Sequence, residues 1–394
     1  MKRQDNKAIN LKRSENISII GGSSAGFFTA YLLADQGLPV QVFEEKKLEH
    51  KSKRTLIVTS HIQNLMKGIC KEAVVNKINF FELFTDGHSS TIPLQRPDLI
   101  IESSKLNQIL REKAEKHGAE TFFGHRLINL NSNGDKLDLT ISCNDGKELL
   151  QKSTTVIIGA DGAFSKVAQC AGWPQKNTAP LIQAIVKLPR DLPPDTVRVW
   201  FVPQDTPYFY WLIPHSETEG VLGLIATDEK KGRKSLELFL EKKCLPPIDF
   251  QSACIPIYSR WIPFYRKAKG GYVYLVGDAA GHVKVTTVGG MVTGFQGASG
   301  VVEAILNGGT SSKLQFLRRE LNRHKLIRRL LQGYTENDYT KLLELLSPLV
   351  KQSLGKFNRD QTNKLFMNIF LRQPHLLLFM LRQILHKIRP LDSP

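Results

Sequence analysis

The feature that most constrains this chain is a β-branched run, Ile17-Ser18-Ile19-Ile20, that leads directly into Gly21-Gly22-Ser23-Ser24-Ala25-Gly26. Apolar residues then recur at helical spacing from Phe27 to Gln36, and Gly37 closes that segment. Pro39-Val40-Gln41-Val42-Phe43-Glu44 reads as a second strand ending in an acid. Strand, glycine turn, helix and strand together make a βαβ unit. A turn that opens a helix can bind a pyrophosphate, because the helix start presents free N–H groups and the positive end of the dipole. Glycine is needed where the backbone turns tightly or approaches the phosphate. Gly21 and Gly26 fill the first and third positions of GxGxxG, and Ser23 stands at the second. Serine is small and can donate to a phosphate, but the match is degenerate. Ser24 and Ala25 complete the turn. Glu44 falls where a ribose-binding carboxylate belongs. The plain alternative for Glu44 is a solvated strand-end acid, which is also the reading for its neighbour Glu45.

Further along, residues 66–96 have a mixed pattern. Leu99 to Ile101 precede a helical stretch, Lys105 to His117, closed by Gly118. Phe122 to Thr154 reads as strands and a hairpin, with turn signals at Asn133-Gly134-Asp135 and Asn144-Asp145-Gly146. Val156-Ile157-Ile158 is another buried strand. From Pro180 to about Trp261, strand-like runs such as Val197 to Val202 and Val221 to Ile225 alternate with Pro and Asp turns, the pattern of an antiparallel sheet. Tyr272 to Val276 returns to a buried strand and enters Gly277-Asp278. After Gly308 the chain is helical, basic and leucine-rich.

Composition narrows the class. The 394 residues are 41% hydrophobic and 23% charged, which excludes a collagen-like or largely disordered chain and suits two or three domains. Lys and Arg number 54 against 37 Asp and Glu, a formal net charge of +17 that favours an anionic partner. The cysteines, Cys70, Cys143, Cys170, Cys244 and Cys254, are far apart and have no metal-ligand spacing, so neither a disulfide framework nor a metal site is expected. That favours a reducing compartment. Met1 to Asn16 is basic and polar, and no long apolar window follows, so no secretory leader or membrane span is expected. These features point to a cytoplasmic protein, at most peripheral on the inner face of the membrane.

Two further segments carry a family resemblance. Gly159-Ala160-Asp161-Gly162-Ala163-Phe164-Ser165 resembles the DG motif of flavoprotein hydroxylases, and Gly277-Asp278-Ala279-Ala280-Gly281 resembles their GD motif. With the glycine turn they occur in the order of the p-hydroxybenzoate hydroxylase-like flavoproteins. Gly281-His282-Val283-Lys284-Val285-Thr286-Thr287-Val288-Gly289-Gly290-Met291 is similar to the geranylgeranyl reductase family within that superfamily, as is Phe209-Tyr210-Trp211-Leu212-Ile213-Pro214 followed by Gly223. The family's second glycine is replaced by Ile225.

The resemblance implies an α/β fold. A discontinuous Rossmann-like FAD-binding domain would be assembled from 14–65, 97–179 and 265–310. An antiparallel-sheet substrate domain would take 66–96 and 180–264, and a basic helical C-terminal region 311–394. It implies FAD as cofactor, with NAD(P)H or another reductant as electron donor. Asp278 would accept from ribityl hydroxyls, Asp161 and Gly162 would fix the loop beneath, and Gly289, Gly290 and Met291 would offer N–H groups to the reduced flavin edge. Arg54 resembles the family arginine near flavin and diphosphate; otherwise it is one more surface cation beside Lys51 and Lys53. Ser103 stands where relatives often carry Arg or Gln.

Tyr208, Phe209, Tyr210 and Trp211 read as one strand, so alternate rings share a side. With Pro214, one set would line a flavin-facing cavity; the other reading is sheet core. An apolar cavity suits a polyprenyl chain, which offers little to hydrogen-bond. The implied activity is reduction of carbon–carbon double bonds in an isoprenoid on a lipid or quinone. No residue stands out as proton donor, since His282 sits where a histidine is more often structural. Residues 311–394 hold 16 Lys and Arg against 6 Asp and Glu. With the apolar runs Leu365 to Met367, Ile369 to Leu371 and Leu376 to Leu381, divided by Pro374, they suggest an amphipathic surface for an anionic membrane or a helical cap. No nucleic-acid motif accompanies the charge. Two other functions stay open: an oxygen-using monooxygenase or halogenase, since Phe209-x-Trp211-x-Ile213-Pro214 partly matches Trp-x-Trp-x-Ile-Pro, and a non-catalytic membrane-associated flavin or lipid binder.

Overall fold

The computed structural model describes residues 16–48, 54–357 and 359–372. Lys51, Lys53, Pro374 and the run Leu376 to Leu381 lie outside the described residues.

Two large sheets organise the chain. The first has six strands in the order 265–268, 271–275, 156–159, 17–20, 40–44 and 120–123. All but the edge strand Tyr265–Ala268 pair in parallel. Ile17–Ile20 and Val156–Gly159 are buried at every position. A central parallel strand is covered on both faces, so a short continuous apolar run suits it better than an alternating one. Helices Ser24–Ala34 and Met291–Leu306 cover one face, where Phe28 meets Phe295 edge-on at 5.0 Å between ring centres. A three-stranded sheet, 126–133, 136–143 and 148–154, contributes Leu137, Leu139 and Ile141 to the core that also takes in Ile20 and Ile157. Its two turns fall at the Asn-Gly and Asn-Asp-Gly signals.

Register positions the functional turns. Ile20 pairs with Gly159, and Gly159 with Leu275. The three central strands therefore end level, and the three glycine-containing turns leave the same edge of the sheet. That carboxyl-end crevice is where open α/β sheets bind ligands.

The second sheet has eight strands in the order 247–256, 178–187, 219–225, 210–214, 196–200, 74–85, 88–102 and 55–58. It is antiparallel except where Thr196–Trp200 lies parallel to Val74–Thr85. Residues 66–96, of mixed pattern in the sequence, thus include most of two long strands. His88–Glu102 runs unbroken across the boundary expected at 97, and Thr55–Val58 joins this sheet rather than the first. Helix Glu229–Lys242 covers one face and buries Leu236, Phe239 and Leu240.

The C-terminal region forms helices Ser312–Leu331, Glu336–Glu344, Pro348–Lys356 and Thr362–Arg372. Leu314, Leu317 and Leu321 enter the main core. Tyr339 stacks on Phe201 at 4.5 Å. A Cβ added to Gly355 would fall 1.9 Å from the Pro93 carbonyl oxygen, so this helix and strand His88–Glu102 meet backbone to backbone. These helices cap the two sheets. No helix among the described residues is long and apolar enough to cross a membrane.

Candidate active site

An elongated groove of about 1440 Å³ runs along the carboxyl edge of the parallel sheet and is lined by all three motif turns. Gly21, Ser23, Ser24, Ala25, Glu44, Arg54, Asp161, Gly162, Asp278, Gly289, Gly290 and Met291 all face it.

The glycine turn is built by close approach. Gly21 has φ +104°, and a Cβ there would meet the Ala160 carbonyl oxygen at 2.5 Å. A Cβ on Gly26 would lie 2.1 Å from the Gly21 carbonyl oxygen. Gly26 does not face the groove; it lets the helix start against the turn. Ser23 caps that helix, accepting from the Gly26 amide at 3.2 Å and donating to the Ala160 carbonyl at 2.9 Å. The expectation that Ser23 donates to a phosphate is therefore corrected, because its one proton is already committed to the backbone. Glu44 accepts from the Gly22 amide at 2.6 Å and from the Lys46 amide at 2.9 Å. It braces the turn from the second strand.

The other two turns bring acids into the crevice. Asp161 accepts from the Val167 amide at 3.0 Å through Oδ2, while Oδ1 is buried with no partner among the described residues. Burial raises its pKa, against the Ser165 hydroxyl and nearby backbone amides. Asp278 is also raised by burial, with Lys176 and Arg54 pulling it back. A Cβ on Gly290 would sit 3.1 Å from Asp278 Oδ1, so glycine keeps the carboxylate open to the groove. Between them Val288 holds φ +51°. A β-branched residue in the left-handed region is strained, and such strain clusters at ligand sites. Arg54 is tied to both sheets' surroundings: its guanidinium donates to the Ser252 carbonyl at 2.9 Å, and its carbonyl accepts from the Ser103 amide at 2.8 Å.

Sequence reasoning missed one face of helix Ser103–Lys116. Ser104, Asn107, Gln108 and Arg111 all line the groove. Their spacing is helical, which was the available signal. Arg111 adds a cation one side of the glycine turn, where Ser103 alone offered none. Lys176, which reaches the GD turn from outside all three motifs, carried no signal in the sequence.

On the substrate side the strand begins at Tyr210 rather than Tyr208. Tyr210 is fully buried and stacks on Phe239 at 4.0 Å, under helix Glu229–Lys242. It faces away from the groove, which corrects its placement among the cavity-lining rings. Trp211 points to the opposite face. Its partners in register, Gly223 and then Gln183, flank Leu181 and Ala253, and the last two line the groove. Phe209 and Ile213 pack on that side with Ile57, Phe81, Leu83 and Val199. Tyr208 lies beneath the Arg328 guanidinium at 3.9 Å, and Pro214 is buried. None of Tyr208, Phe209, Trp211 and Pro214 lines the groove itself.

His282 is 2% exposed, stacks on Trp261 at 5.5 Å and abuts Gly297. Burial holds it down at about 3, which favours the neutral ring near pH 7.

The donor set fits FAD. Glycines stand where a diphosphate approaches the backbone, the carboxylate residues Asp161 and Asp278 line the crevice, and the strained turn before Met291 presents amides at a helix start. Comparison with known proteins agrees. The family described as FAD binding domain matches residues 14–315. Digeranylgeranylglycerophospholipid reductase of Methanocaldococcus jannaschii is 25% identical over 290 residues, covering 70% of this chain and 73% of that protein. The crystal structure of a geranylgeranyl bacteriochlorophyll reductase-like protein from Thermoplasma acidophilum superposes with a TM-score of 0.75 at 17% identity, covering 94% and 99% of the two chains. The flavin-dependent halogenase CmlS superposes at 0.62 with 15% identity, over 91% and 70%. The resemblance to geranylgeranyl reductases read from the motifs is matched by a curated relative and a solved structure. The chain belongs to the FAD binding domain family and is an FAD-dependent oxidoreductase.

Proposed function

We propose that this protein reduces carbon–carbon double bonds of an isoprenoid chain carried on a lipid or quinone. One observation carries the reading: Ile57, Leu181, Ala253 and Ile255, apolar residues of the eight-stranded sheet, line the same groove as the three motif turns. An isoprenoid would lie along this face, with Phe209 and Trp211 packed behind it and burial of methyl and methylene groups supplying affinity. The relatives named as reductases of geranylgeranyl lipids favour the same chemistry.

In this reading Gly21, Ser24, Ala25 and Glu44 receive the adenosine diphosphate half of FAD, Gly26 lets the helix start close to the turn, and Arg54 and Arg111 supply positive charge. Asp161, Gly162 and Asp278 hold the ribityl region, and the amides of Gly289, Gly290 and Met291 face the flavin edge. FAD supplies the hydride when bound and reduced. NAD(P)H or another reductant recharges it. The six-stranded sheet is assigned to the cofactor, the eight-stranded sheet to the substrate, and the helices between Ser312 and Arg372 to a cap whose basic surface meets anionic lipid.

The test is anaerobic. Reduced protein is incubated with a geranylgeranyl lipid, and the product is weighed. A gain of two hydrogens per double bond without oxygen supports the proposal. Product that forms only with oxygen, or with oxygen and halide, assigns the protein to the hydroxylase or halogenase branch instead. Co-sedimentation with anionic vesicles at rising salt tests the lipid contact, which should weaken as charge is screened.

A further inference from the structure

The GD turn holds a cation that belongs to none of the motifs. Lys176 lies in the segment that links helix Lys166–Cys170 to the eight-stranded sheet. Its Nζ donates to the Ala279 carbonyl at 2.9 Å, one residue from Asp278. Its stem runs along the same turn, with Cδ 3.5 Å from where a Cβ on Gly281 would be. Burial lowers the pKa of the ammonium, and the charges of Asp161 and Asp278 act to raise it again.

We propose that Lys176 is a positioning residue for FAD: its ammonium holds the 277–281 turn through the Ala279 carbonyl and places a positive charge beside Asp278, so that FAD hydroxyls meet a fixed acceptor. The inference rests on the FAD assignment and adds to it a residue that no motif contains.

The electrostatics follow from what faces each acid. Asp278 is buried, and the charged groups acting on it are Lys176 and Arg54, with uncharged Gly290 against its Oδ1. Around Asp161 stand the Ser165 hydroxyl and the Val167 and Lys166 amides. His282, close in the chain, is held by burial towards its neutral form. Without Lys176 only Arg54 opposes the burial of Asp278. Arg54 is also held by the Ser252 carbonyl. Asp278 would then take up a proton at a higher pH than in the wild type, and FAD would lose its acceptor as pH falls.

The experiment titrates the full chain, freed of flavin, with FAD by fluorescence between about pH 5 and 8. K176M should weaken binding about tenfold near neutrality, with a loss that grows towards acid pH. K176R should recover most of the affinity and the wild-type pH profile. K176M with wild-type affinity throughout, or weakened by one constant factor at every pH, overturns the proposal, because a merely structural lysine gives no pH-dependent loss. D278N covers the case in which K176M does not fold. Its FAD affinity must lack the acid-side decline seen in the wild type, and a decline unchanged in D278N also overturns the proposal. A wild-type chain that takes no FAD at any pH fails the cofactor assignment instead, and is told apart on that ground.

Discussion

The Gly22 amide donates a 2.6 Å hydrogen bond to Glu44 Oε2 across 22 residues of sequence, and it joins the glycine turn to the end of the neighbouring strand. Glu44 thereby does two things: it shapes the turn and it faces the groove. E44A removes the acceptor from two amides that remain partly open to water. FAD binding is expected to weaken by about 1 kcal/mol, or roughly fivefold. E44Q, which keeps one acceptor oxygen, should lose less. Equal affinities for all three proteins would refute this role.

Two glycines of the motif turns should respond differently to alanine. At Gly26 the added carbon falls 2.1 Å from the Gly21 carbonyl oxygen, so backbone must move. G26A is expected to cost about 3 kcal/mol and to abolish tight FAD binding. At Gly162 nothing lies within 4 Å, and only φ +83° opposes a side chain. G162A should cost about 1 kcal/mol. Denaturant unfolding of the two flavin-free variants compares them directly, and a reversed order would contradict the close approach.

The cap is locked to the loop that leads to Gly289 and Gly290 by a buried ion pair between Lys284 and Asp360, whose side chains are 6% and 2% exposed. Lys284 also passes 3.7 Å from the Cβ position of Gly289. Burial acts to raise Asp360, but Lys284, the Thr59 hydroxyl and Arg359 outweigh it and hold the carboxyl at about 2. The folded value lies below the unfolded one, so this stabilisation is complete above about pH 4 and is lost as pH falls towards 2. D360A leaves a buried ammonium without its partner and should destabilise by about 3–5 kcal/mol. Urea unfolding measures it; a loss under about 1 kcal/mol would mean water reaches Lys284.

Trp211 lies over Gly223, where a Cβ would come within 2.6 Å of the indole. G223A should push the ring towards the groove. Turnover of long prenyl chains is then expected to fall at least about tenfold, while FAD affinity and turnover of short chains change little. Uniform loss across chain lengths would indicate a general defect of the sheet rather than a narrowed channel.

Much of the cofactor site was legible in the sequence because its requirements are local. A strand that ends in a glycine turn and opens a helix states its hydrogen bonds and steric limits within a few residues, and so do the Asp161-Gly162 and Gly277-Asp278 turns. The substrate side was less legible. Four adjacent aromatic residues suggest a strand, but whether the strand begins at Tyr208 or Tyr210 decides where regular alternation starts. Only packing under Phe239 shows that Tyr210 faces the core. Ser23 could be recognised as small and polar, yet its proton goes to the Ala160 carbonyl, 137 residues away.

By itself the sequence determined the three turns, their order and the strands that lead into them, because backbone geometry and side-chain periodicity are properties of short segments. The tertiary structure alone decided that Lys176 meets Ala279 103 residues on, that Lys284 meets Asp360 76 residues on, and that the turns share one edge. Those contacts depend on register between strands and on which buried charges find partners, and neither is expressed in the spacing of residues along the chain.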